Sequence, residues 1–210
     1  MNKWIWIGLG IAALGAFLFW LLTASSKPLP GEKMADLGRK HVPAGEQVQY
    51  NSNPPTSGSH YADWIRSGVY DSPKDDRNLV HSLEHGYVIL SYNCERKISN
   101  FKFQISNLAY AHGVEEEATS AAETTPSSEL PSAFRSDDCH KLVDQLISIY
   151  EKKGKTRLIV IPRPNLDSRI ALTAWTYIDK FDIFEADRIE KFIDAYLNMG
   201  PEKTMETAGK

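Results

Sequence analysis

Hydrophobic and polar positions change period several times along this chain, and the first stretch has no period at all. From Trp4 to Leu22 no residue carries a charge and nearly all are apolar. As a helix that run rises roughly 28 Å, enough to span the hydrocarbon of a bilayer. Trp4, Trp6 and Trp20 stand near its ends, where amphipathic rings favour the interface. The reading is a retained transmembrane helix over residues 1–24. A cleaved leader ending at Thr23-Ala24-Ser25-Ser26 is the alternative. Residues 25–45 mix proline, glycine and both charges without periodicity and read as a tether.

Elements with a core face begin after residue 45. Gln47–Tyr50 is predicted as a short strand, followed by a loop stiffened by Pro54-Pro55 and bent at Gly58. Lys74–Arg77 reads as a charged turn, and Asn78 as the cap of a short helix over Leu79–His85 that Gly86 ends. Tyr87–Tyr92 reads as a buried strand. Ser136, with Asp137 and Asp138 in the first turn, caps a helix carrying Leu142, Leu146 and Ile149 on one face and ending at Gly154. Arg157–Ile161 and Arg169–Tyr177 read as strands. Glu185–Asn198 places Ile189, Phe192, Ile193, Tyr196 and Leu197 at helical spacing. The segment 98–135, acidic and rich in Ala, Ser, Thr and Pro over much of its length, reads as an insertion; 203–210 is a polar tail. Together these predict an α+β domain over 46–202, a small sheet covered by helices, in an order resembling thioredoxin-like folds. No Cys-x-x-Cys opens its first helix, so fold analogy makes it no redox protein.

Composition narrows the function classes. The chain of 210 residues is 42% hydrophobic and 24% charged, which suits a globular core. Its net charge of −3 leaves no basic tract for a nucleic-acid partner. Cys94 and Cys139 are the two cysteines, an even count that suits a disulfide if the chain is exported.

Histidine placement supplies the candidate chemistry. His81 and His85, four apart on a helix, share one face, and His60 sits on the constrained loop some twenty residues earlier. Three imidazoles from two short elements suit a divalent transition metal, zinc or copper first. Glu84 and Tyr61 are the expected supporting residues, although Glu84 points about 100° away from His85 on a helix. His41, His112 and His140 are expected outside the site. The alternative is a metal-free interaction module whose histidines brace the loop against the helix.

The segments Asn51-Ser52-Asn53-Pro54-Pro55-Thr56-Ser57-Gly58-Ser59-His60-Tyr61, Leu79-Val80-His81-Ser82-Leu83-Glu84-His85-Gly86, Ala171-Leu172-Thr173-Ala174-Trp175 and Phe192-Ile193-Asp194-Ala195-Tyr196, with Gly200-Pro201-Glu202, resemble the family catalogued as domain of unknown function 3105. The resemblance runs from about Gly45 to Glu202 and implies a bacterial protein with one N-terminal membrane segment. It implies no activity, and the cysteine pair departs from its usual pattern. Lys3 before the apolar run and Lys27, Lys33, Arg39 and Lys40 after it do not by themselves orient the chain. The cysteines and the resemblance together lead to the expectation of a single-pass membrane protein with a periplasmic or extracellular domain.

Overall fold

The computed structural model describes residues 3–24, 29–96 and 130–202. Two compact units are present, Met1–Pro30 and Gly31–Lys210. The first contains helix α1, Lys3–Ala24. The side chains of residues 10–20 are exposed. Among the described residues no helix is long and apolar enough to cross a membrane. The span expected over Trp4–Leu22 is corrected accordingly.

The second unit is an α+β fold around a six-stranded mixed sheet in the order β1-β6-β5-β3-β4-β2. The strands are β1 Glu32–Lys33, β2 Gly68–Val69, β3 Val88–Tyr92, β4 Leu158–Pro162, β5 Ile170–Ala174 and β6 Tyr177–Phe181. β3 runs parallel to β4 and antiparallel to β5. These three central strands are buried along their whole length. Burial on both faces explains why β3 and β4 are apolar over most of their length rather than alternating.

Period-two alternation divides the core into two layers. Val88 and Leu90 join Leu146 and Ile149 of α3 (Asp137–Lys152) and Ile189 and Phe192 of α4 (Ala186–Tyr196). Ile89, with Ile159 and Ile161, packs instead with Leu79 and Leu83 of α2 (Asp76–Glu84). Helix α3 begins where expected, with Ser136 Oγ accepting the Cys139 N–H at 3.2 Å. Cys94 and Cys139 form a disulfide with Cα atoms 5.5 Å apart, stapling the chain just past β3 to the first turn of α3.

Several expectations are corrected. Arg169–Tyr177 is not one strand: β5 and β6 form a hairpin closed by Ala174 and Tyr177, turning at Trp175-Thr176. Thr176 takes φ 63°, a conformation that β-branched residues avoid. Its N–H donates to Thr56 O at 3.0 Å and its hydroxyl to Trp175 O at 2.7 Å, so tertiary bonds hold a turn that no Gly or Asn announces. Helix α2 begins a turn early, because Asp75 rather than Asn78 caps it, accepting the Arg77 N–H at 2.9 Å. Lys74–Arg77 therefore contributes to the helix start. Gln47–Tyr50 is irregular.

The expected tether is part of the domain from residue 31 onward. β1 pairs with β6, Gly58 N–H donates to Gly38 O at 2.9 Å, and His60 N–H donates to Lys40 O at 3.0 Å. Such backbone pairing needs no side-chain periodicity, so a pattern reading passes over it. Of the expected 98–135 insertion, residues up to 129 lie outside the described residues. Its end packs on the domain: Phe134, in a 3-10 turn over Ser132–Arg135, is buried with its ring 5.9 Å from that of Tyr92. The tail 203–210 also lies outside the described residues.

Candidate metal centre

Three segments meet over the α2 face of the sheet. Helix α2 supplies His81 and Glu84, and its C-cap residue is His85, all three buried although polar. Leu79 and Leu83 hold the helix on the sheet, and Arg163, just past β4, clamps Asp76 in its first turn with two bonds of 2.6 and 2.7 Å. The second segment is the 53–61 loop, which opens on a cis Asn53-Pro54 bond and turns at Gly58 with φ +126°. It carries His60, which is fully buried. The third is 36–45: Ser57 Oγ accepts the Leu37 N–H at 3.0 Å, and His41 forms a parallel bridge with His60.

The ring centroids of His41, His60 and His81 lie 4.9 Å from one another in every pair. His41, His60, His81 and Glu84 each offer one ligand atom to a group whose members all fall within 4.8 Å. A second group, under the same limit, is made of His81, His85 and Glu202. Trp64 stands against His81 and His85, with centroids 5.5 and 4.7 Å away. Trp175 presents its ring edge-on to His60 at 6.4 Å.

Hydrogen bonding sets which nitrogen is available. His60 Nδ1 lies 2.7 Å from Gly58 O, and His81 Nδ1 lies 2.8 Å from Tyr61 O. A carbonyl only accepts, so both Nδ1 atoms carry protons and the neutral rings keep their lone pairs on Nε2. That is how metal-ligating histidines are commonly oriented. Tyr61 thus supports the site as expected, through its backbone carbonyl.

Burial disfavours a charge on these rings. Burial pushes the pKa of His60 and of His81 below the ordinary histidine value. Burial, with Glu202 nearby, raises that of Glu84. His60 Nε2 and Glu84 Oε2 nonetheless stand 2.8 Å apart, both buried, without the alignment of a hydrogen bond. A lone pair facing a carboxylate oxygen at that range is repulsive unless a positive centre lies between or beside them. Either a proton or a metal ion meets that need. Arg39 approaches Glu84 Oε1 at 3.6 Å from the open side. Around a tetrahedral ion with bonds of about 2.05 Å, ligand atoms sit about 3.3 Å apart. An ion held there would draw the half-exposed His41, whose Nε2 is 4.0 Å from Glu84 Oε2, inward.

The C-terminal segment positions the second group. Asn198 N–H donates to Gly86 O at 2.8 Å and Glu202 N–H to Glu84 O at 3.1 Å, which brings Glu202 Oε2 to 3.5 Å from His85 Nε2. This approach requires a glycine at 200, where an added Cβ would run into Glu84 O and Gly86 N and sit 2.7 Å from Gly86 Cα. Gly200→Ala is expected to cost about 3 kcal/mol, the upper end for overpacking, because the opposing atoms are backbone. Urea unfolding of the two proteins measures it.

The structure thus brings His60 and His81 together and places His85 beside His81 in the neighbouring group. Glu84 turns away from His85 as its helical position requires, and joins His81, three residues before it, on the side facing His60. His41, expected outside, belongs to the first group. Its sequence context held no signal beyond the residue type. Glu202 carried one signal, its place in the Gly200-Pro201-Glu202 motif. The family described as "Protein of unknown function (DUF3105)" matches residues 41–131 and 131–209 of the chain. No curated protein and no solved structure matches it.

Proposed function

We propose, for a chain that belongs to the DUF3105 family of proteins of unknown function, that its domain binds a divalent transition metal through His41, His60, His81 and Glu84. The observation that carries this reading is the close, unaligned contact of His60 Nε2 with Glu84 Oε2, both buried, at 2.8 Å. Two donors pressed together without a bond between them suit a shared cation. Imidazole nitrogen with one carboxylate oxygen suits zinc or copper(II) better than magnesium or calcium, which prefer all-oxygen shells. Three imidazoles and a carboxylate complete a tetrahedral shell, and this favours holding an ion, as in sensing or storage, over hydrolysis at an open position. The disulfide supports placing the domain in an oxidising, extracytoplasmic compartment. The β3–α3–β4 unit joined to the β5–β6–α4 unit supports the thioredoxin-like order.

The full chain, purified without a histidine tag and reconstituted with zinc, is expected to carry stoichiometric metal by elemental analysis. The His60→Ala/His81→Ala variant is expected to carry none. Equal and negligible content in both would leave the second reading, a metal-free interaction module. The bonds of His60 Nδ1 to Gly58 O and His81 Nδ1 to Tyr61 O favour that alternative, because they tie the loop together and to α2.

A further inference from the structure

The two groups share His81, and its chemistry limits what they hold together. His81 Nδ1 donates to Tyr61 O at 2.8 Å, leaving Nε2 as the one ligating atom of the ring. One nitrogen lone pair binds one ion. Serving two would need the ring deprotonated and bridging through both nitrogens, at the expense of the Tyr61 bond. The ring centroid of His81 is 4.9 Å from that of His60 and 4.5 Å from that of His85, so it stands between the groups.

Exposure gives the array a direction. The His41 side chain is 52% exposed at one end and Glu202 is 45% exposed at the other. His60, His81 and His85 between them are buried. Trp64 lies against both His81 and His85.

We infer that His81, His85 and Glu202 form a second position for the same divalent transition metal, and that His81 passes a single ion between the two positions. This rests on the metal-binding reading above and adds to it an exchange path with two openings to solvent. Movement along it is ligand substitution only: Nε2 of His81 stays bound while His41, His60 and Glu84 give way to His85 and Glu202. No electron is transferred, and the charge on the ion does not change.

Cobalt(II) titration of the full chain, followed by its visible absorption, tests the inference. His41 and Glu202 are both partly exposed, so their substitution leaves the core intact. Wild type is expected to saturate at one equivalent. His41→Ala is expected to keep one equivalent with an altered band and an affinity lowered about tenfold. Glu202→Gln alone weakens binding less than His41→Ala does. Combined, the two substitutions are expected to lower affinity about a hundredfold, more than their separate effects multiply to, because each closes the position the other leaves available. Saturation at two equivalents in wild type overturns the inference. So does a double variant no weaker than His41→Ala alone, although that outcome leaves the metal-binding reading standing. Wild type that takes up no cobalt(II) overturns both.

Discussion

Chelation of the metal-loaded protein is expected to lower its melting temperature by roughly 8–16 °C. A ligand that binds only the native state, at a free concentration of about 1,000 times its Kd, contributes about 4 kcal/mol. For a unit of this size each kcal/mol moves the midpoint by about 2–4 °C. The donors come from three separate segments, 36–45, the 53–61 loop and α2, so the unfolded chain does not hold them together. Calorimetric scans of zinc-loaded protein, with and without EDTA, read the shift directly. His60→Ala/His81→Ala should melt at one temperature in both conditions. A wild-type midpoint that ignores EDTA would leave the histidines as braces.

Replacing both cysteines, Cys94→Ala/Cys139→Ala, is expected to cost about 4 kcal/mol in the chain-entropy treatment of a loop closed across 45 residues. Alanine is the suitable replacement because Cys139 is buried in the α3–α4 core, where a serine hydroxyl would need a partner. The loss should appear in urea unfolding as an earlier midpoint. Metal content should stay at the wild-type level, since the disulfide belongs to the opposite face of the sheet from α2. A variant that lost its metal together with its stability would show that the two layers do not hold independently.

Helices α3 and α4 and strands β3 and β4 were legible because their signals are local. Ser136 with two aspartates, a 3.6-residue apolar repeat, and unbroken runs such as Leu158–Ile161 each report on neighbouring residues alone. The β5–β6 hairpin was not legible, because Thr176 is held at positive φ by a bond to Thr56, far away in the chain. Residues 31–45 read as a tether for the same reason: their pairing with β6 and with the 58–60 loop runs through backbone atoms, which every sequence has.

The site divides along the same line. Sequence by itself determined that His81 and His85 share a helical face, that Glu84 points away from His85, and that His60 sits on a rigid loop; helix geometry and the φ limits of proline need nothing else. Only the tertiary structure decided that His41 joins them, that Glu84 faces His60, and that Glu202 reaches His85. Those meetings depend on which backbone segments pair and how closely Gly86 and Gly200 let two chains approach, and such distances are set by packing between remote parts of the chain.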